Sequence, residues 1–404
     1  MLISQAAPQL FLLLSGESLG LVIRQLLVHI MKRKRFRDQA RKVRYAVIGL
    51  GDITQGAVLP GFKNAEKNSE LVALVSDDRK KLRHLAKHYH VPQTCHYDEV
   101  DQLLESRSVD AVYIAVPNSL HRDFTLRAAR AGVHVLCEKP LAVSESECKK
   151  MIQACRVSQV RLMTAYRLHF ERANLEAIRL LREGRIGEPR IFQSLFTMQV
   201  KAGNVRLKKA LGGGTLYDIG IYCINAARYL FRSEPTEVFA VAAKNSDPRF
   251  REVDEMTSAV LQFPENRLAS FTASFGAADC AEYVVVGTKG LLRMKHGYEY
   301  SQAIEMELTI NDRTRRRTYA LSDQFGPEIL YFSDCILKGR EPEPSGGEGL
   351  ADVRIIQSLY ESAGKGRPVR IRIKDERHRP DLRQHIRRPR AKRPAKLRAQ
   401  SPHR

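Results

Sequence analysis

Over the first part of the chain, short apolar runs alternate with longer amphipathic segments. Residues 43–48 are apolar apart from Arg44 and close on Gly49-Leu50-Gly51, which predicts a buried strand entering a tight turn. A helix is expected over 54–64, a strand over 71–75, and a helix over 78–88 with Leu82, Leu85 and Ala86 on one side. Strands over 109–116 and 133–137 flank a helix over 119–131 that ends at Gly132. A helix over 145–155 and a strand over 161–165 complete the series. Such alternation predicts βαβ units around a parallel sheet.

After a helix over 173–182 the pattern changes. Runs at 191–200, 238–244, 257–263, 268–275, 283–287 and 306–310 read as strands, separated by turn signals such as Asn245-Ser246-Asp247-Pro248. Strands with few intervening helices predict a large, mostly antiparallel sheet in an α+β domain. Helices over 328–337 and 349–363 would close it.

A chain of 404 residues has room for two such cores. Its formal charge of +22 would suggest a nucleic-acid partner, but the excess sits at the ends. Residues 366–404 hold 15 Lys and Arg against 3 Asp and Glu, and residues 1–42 hold 8 against 2. The body is therefore only mildly basic, and nucleic acid is not the expected partner. Residues 371–404 read as a solvated, disordered basic tail, and residues 1–42 as a disordered basic extension. The apolar segment 10–14 has no cation before it, and 19–31 is too short to span a membrane. Met31 is an alternative start. The expected location is cytoplasmic, or periplasmic if residues 1–42 act in export. Seven cysteines, irregularly spaced and without a C-x-x-C pair, argue against a disulfide framework or a zinc site.

Two clusters carry chemistry. Gly49-Leu50-Gly51-Asp52-Ile53-Thr54 follows a strand and opens a helix, so its backbone suits a dinucleotide pyrophosphate, although Thr54 replaces the third glycine. At the end of the second strand, Ser76 and Lys81 suit the 2′-phosphate of NADP, whereas Asp77 suits the free ribose of NAD. The second cluster follows Gly212-Gly213-Gly214. Asp218 and Tyr222 are four residues apart, so a helix there turns both to one face. The ordinary alternatives are a helix cap for Asp218 and a packing role for Tyr222. A free phenol titrates near 10, so a proton acceptor at neutral pH needs a cation beside it. Lys139, where a parallel strand ends, is the candidate. No metal is called for.

Cys137-Glu138-Lys139-Pro140, Pro117-Asn118-Ser119-Leu120-His121 and Asp218-x-Gly220-x-Tyr222 together resemble the Gfo/Idh/MocA oxidoreductases over residues 43–370. Tyr166-Arg167-Leu168-His169-Phe170 and Arg206-Leu207-Lys208-Lys209 support the glucose–fructose oxidoreductase branch. The resemblance implies an α/β Rossmann domain at 43–165 and an α+β substrate domain at 166–370, whose open sheet face often forms a dimer or tetramer. It implies hydride transfer between NADP (or NAD) and an aldose, and a sugar or polyol as the small-molecule partner. Inositol or dihydrodiol oxidation, or a non-catalytic nucleotide-binding regulator, are alternatives. By the same resemblance Lys139, Asp218 and Tyr222 are catalytic. Gly49, Gly51, Asp52, Ile53, Ser76, Lys81, Pro117, Asn118, His121, Glu138, Lys139 and Arg167 face the cofactor, and Lys139, Arg167, His169, Asp218 and Tyr222 face the substrate.

Overall fold

The computed structural model describes residues 41–374, 379–392, 394–399 and 401, so the expectations for residues 1–40 lie outside the described residues. Strands β1 (Val43–Ile48), β2 (Ser69–Val75), β3 (Gln93–Cys95), β4 (Ala111–Ile114), β5 (His134–Glu138) and β6 (Leu162–Ala165) form one sheet in the order 3-2-1-4-5-6. Every neighbouring pair is parallel. Ala46, Val47, Ile48, Val112 and Ile114 are fully buried, as a parallel sheet covered on both faces requires. The strand order reverses between β1 and β4, which opens a crevice beyond their carboxyl ends. At the end of β2 the Asp78 carboxylate accepts the N–H groups of Lys80 and Lys81 and starts the helix Arg79–Tyr89.

Nine strands form the second sheet: β7 (Pro189–Thr197), β8 (Glu237–Ala243), β9 (Met256–Phe263), β10 (Arg267–Ser274), β11 (Cys280–Gly287), β12 (Gly290–Lys295), β13 (Ile304–Ile310), β14 (Arg313–Tyr319) and β15 (Val369–Arg370). Their order is 14-13-12-11-7-10-9-8-15, and only β7 and β10 run parallel. Sequence reading passed over β3, β12, β14 and β15. Two are two or three residues long, too short for a period. In β14 the run Arg313-Thr314-Arg315-Arg316-Arg317-Thr318 is exposed throughout, the charged edge that discourages further pairing. The helix Ile221–Phe231 lies buried along almost its whole length against the inner face of this sheet.

The chain then returns to the first sheet. Phe325, Ile329 and Phe332 of the helix Phe325–Lys338 join the core around β1. Gly61 lets this helix approach closely, because a Cβ there would lie 3.0 Å from Gly326 N. Among the described residues, no helix is long and apolar enough to cross a membrane.

Residues 371–404 do not match the expected disordered tail where they are described. Arg379 pairs with Glu234 at 2.7 Å, Arg388 donates to Asn64 O at 3.0 Å, and Leu397 exchanges two hydrogen bonds with the side chain of Gln55. Composition treats these arginines as solvated. Their partners are carboxylates and carbonyls of the folded body, which composition cannot locate.

Candidate active site

Gly49 ends β1 with φ of +97°, and a Cβ there would come within 2.5 Å of Ala115 O, so only glycine fits. At Gly51 nothing lies within 4 Å of the corresponding position, which leaves backbone open to a ligand. Thr54 takes the place of a third glycine by turning inward, where its Oγ1 donates to Gly49 O at 2.8 Å. An open turn leading into a helical segment fits the pyrophosphate of a dinucleotide.

The crevice continues as a cleft of about 650 Å³. Gly49, Gly51, Asp52, Ile53, Ser76, Lys81, Pro117, Asn118, His121, Glu138, Lys139 and Arg167 all line it, and so do Asp218 and Tyr222. Of the expected site residues, only His169 falls elsewhere. It is 1 % exposed and lines a small cavity on another side of Tyr222, between Tyr166 and Tyr229. Burial, with Arg228 and Arg379 nearby, pushes its pKa down to about 3, so it is a neutral ring away from the cleft. His169, expected to face the substrate, thus lies outside the cleft that gathers the other site residues, on a separate cavity it shares with Tyr222.

His121 edges the cleft, but its ring nitrogens lie 2.8 Å from Pro140 O and 3.0 Å from Val116 O. It ties the segments after β4 and β5 together, with no ring nitrogen left for a ligand. The Asn118 side-chain N–H donates to Gly212 O at 2.8 Å and fastens the glycine triplet to the first domain.

Asp218 lies in a five-residue π-helical turn, Leu216–Gly220, that leads into the helix carrying Tyr222. Lys139 Nζ donates to Asp218 O at 2.6 Å and lies 3.3 Å from its Oδ1, while also sitting 4.7 Å from the centre of the Tyr222 ring. Aspartate and tyrosine therefore share one cation, as the four-residue spacing predicts. Arg206 Nε donates to Asp218 Oδ2 at 2.6 Å. Burial alone would raise the Asp218 pKa, but Arg206 and Lys139 hold it below its ordinary value. Asp218 is thus a carboxylate with both oxygens engaged. The glycine triplet makes this possible: Gly213 and Gly214 fold back to donate to Lys208 O and Arg206 O, and a Cβ on Gly213 would lie 2.3 Å from Arg206 O.

Arg167 is 6 % exposed, donates to Gln324 Oε1 and Tyr298 O at 2.5 Å each, and lies 5.0 Å from the Tyr222 ring centre. Glu138 accepts the Tyr113 hydroxyl at 2.8 Å, and that hydroxyl also faces Glu328 at 3.3 Å. Burial and the neighbouring Glu138 push the Glu328 pKa well above its ordinary value. Arg206, Tyr298, Tyr300 and Gln324 were not singled out as site residues from sequence. Only Arg206 carried a signal, its place just ahead of the glycine triplet.

Residues 43–166 match the oxidoreductase family with an NAD-binding Rossmann fold, and residues 174–293 match the GFO/IDH/MocA C-terminal domain. The structure of aldose-aldose oxidoreductase from Caulobacter crescentus, complexed with glycerol, is 39 % identical with a TM-score of 0.78, covering 82 % of this chain and all of that one. D-xylose 1-dehydrogenase [NADP(+)] of Haloarcula marismortui is 32 % identical over 336 residues, 81 % of this chain and 93 % of that protein. A 3-ketoreductase from Actinomadura kijaniata, solved with NADP and TDP-benzene, is 28 % identical with a TM-score of 0.74 over 80 % of this chain and 98 % of that one.

Proposed function

The chain belongs to the GFO/IDH/MocA oxidoreductase family, and on that premise we propose an NADP-dependent sugar oxidoreductase that moves a hydride between nicotinamide and an aldose. Residues 43–165 hold the dinucleotide and residues 166–370 the sugar. One observation carries this reading: Lys139 from the first domain and Asp218 and Tyr222 from the second converge on the cleft that the glycine turn opens.

When bound, the dinucleotide supplies the hydride acceptor. Tyr222 takes the proton of the sugar hydroxyl at its phenol oxygen. Lys139 and Arg167, on the ring at 4.7 Å and 5.0 Å, stabilise the charge that develops between phenol and sugar oxygens. Asp218 holds the Lys139 ammonium in place and is itself held by Arg206. Phe196, Tyr298 and Phe325 line the same cleft and give it an apolar wall.

Ile191, Leu195, Val241, Val260 and Leu268 are exposed apolar residues of the second sheet, and we assign this face to a second copy of the chain. All seven cysteines are unpaired thiols, which suits a reducing, cytoplasmic setting.

The test is NADP-coupled oxidation across a panel of aldoses, a dihydrodiol and an inositol. Aldose turnover that falls about 100-fold or more in Tyr222→Phe is expected. Turnover confined to the dihydrodiol or inositol would replace the sugar assignment, and unchanged turnover in Tyr222→Phe would remove the phenol from the reaction.

A further inference from the structure

Residues 396–399 of the basic C-terminal segment lie at the nucleotide cleft. Leu397 N–H donates to Gln55 Oε1 at 2.8 Å and Leu397 O accepts from Gln55 Nε2 at 3.0 Å, so one fully buried glutamine reads the backbone of the segment in both directions. One residue earlier, Lys396 Nζ pairs with Asp52 Oδ1 at 2.6 Å beside the glycine turn. One residue later, Arg398 lines the cleft together with Ser76, Asp77 and Lys81, its guanidinium 3.6 Å from Asp78 Oδ2.

The charges left without this segment are poorly suited to a phosphorylated ligand. Asp52 stands at the turn where a pyrophosphate would lie, and its carboxylate would repel it. At the ribose end, Lys81 is, among the described residues outside this segment, the one cation lining the cleft against Asp77, with Asp78 behind. The segment corrects both places with a cation. From residue 382 onward the chain contains no Asp or Glu, so the segment does not mimic a dinucleotide. The cleft measures about 650 Å³ with Arg398 and Ala399 in its wall, which leaves room for a ligand beside them.

We propose that residues 396–399 are part of the nucleotide site: Lys396 neutralises Asp52 beside the glycine turn, and Arg398 joins Ser76 and Lys81 as a cationic contact for the 2′-phosphate of NADP. This rests on the NADP reading above and deepens it, because it places the distinction between NADP and NAD partly in the tail. Arg398 and Lys396 act on binding, and neither touches the proton-transfer residues.

The experiment measures dissociation constants of NADP and NAD by calorimetry on nucleotide-stripped protein. It compares the full chain, a chain ending at residue 395, Arg398→Gln and Lys396→Met. The shortened chain should bind NADP about tenfold more weakly or worse. Arg398→Gln should lose about tenfold for NADP while NAD stays within about twofold. Lys396→Met should weaken both dinucleotides alike, since the pyrophosphate is common to them. A full chain that binds neither dinucleotide would overturn the NADP reading and the tail's role with it. A full chain that binds NADP, with variants that match it, would overturn the tail's role alone. Tighter binding by the shortened chain would also overturn it, identifying the segment as a plug. The two point variants leave the Gln55–Leu397 hydrogen bonds in place, so they decide the matter even if the shortened chain folds poorly.

Discussion

Asp218 is held by Arg206 and Lys139 beside the cleft, whereas Asp352 is held by Arg228, Asn225 and Tyr166 in a sealed core. Both aspartates pair with an arginine, Asp352 fully buried and Asp218 partly so, yet their acidities move in opposite directions. For Asp352, burial raises the pKa to about 6 and outweighs Arg228, with the Glu348 carboxylate adding to the rise. For Asp218, burial pulls the same way, but two cations attend one carboxylate and win. Arg228 instead divides its guanidinium among Asp352, Glu234 and Glu348. The ratio of cations to carboxylates decides the sign, and access decides the use. Arg228, Glu348 and Asp352 have no exposed side-chain surface, so their bonds cannot be exchanged for a ligand's. Lys139 and Asp218 keep 13 % and 16 % exposure on the cleft, where a ligand oxygen can compete.

The contrast can be broken first at Arg228. Replacing it by Met leaves three carboxyl groups buried together, and we expect a loss of about 3–5 kcal/mol in chemical denaturation. An unchanged midpoint would show that the cluster is not what locks the second domain to its closing helix. Asp218→Asn tests the other side. Loss of one carboxylate at the open site should lower kcat about 10- to 100-fold while the unfolding free energy shifts by about 1 kcal/mol or less. A large stability loss with normal kcat would make Asp218 a structural residue like Asp352.

The smallest expected effect concerns His169, beside the sealed cluster. Its folded-state pKa of about 3 lies below the ordinary 6.5. Between those values the unfolded chain binds a proton that the folded chain does not. Stability from the neutral ring is therefore complete above pH 6.5 and falls as pH drops towards 3. At pH 5 the loss relative to pH 7.5 is about 2 kcal/mol from this residue. His169→Phe should lack that part of the acid destabilisation, and equal pH slopes for both proteins would refute it.

Local signals read most of the site's parts. Gly49 was legible because a turn with positive φ demands it, and the Asp218–Tyr222 spacing because one helical turn brings both to Lys139 even where the turn is π-helical. His121 and His169 were legible only as candidates, since a histidine near a motif looks alike whether its nitrogens face a ligand, two carbonyls or an internal cavity. The tail misled more strongly. Its arginines read as solvated because composition reports charge and not partners.

From the sequence alone came the alternation that makes the first sheet parallel, the turn that opens the cleft, and the resemblance that names the chemistry. Those depend on period, backbone geometry and short motifs, all written within a few residues of one another. Only the tertiary structure decided that Lys139 meets an aspartate 79 residues away, that Asp52 meets a lysine 344 residues away, and which of the arginine clusters is sealed. Such pairings are selected by packing among distant elements, and long-range packing leaves no periodic trace in the chain that makes it.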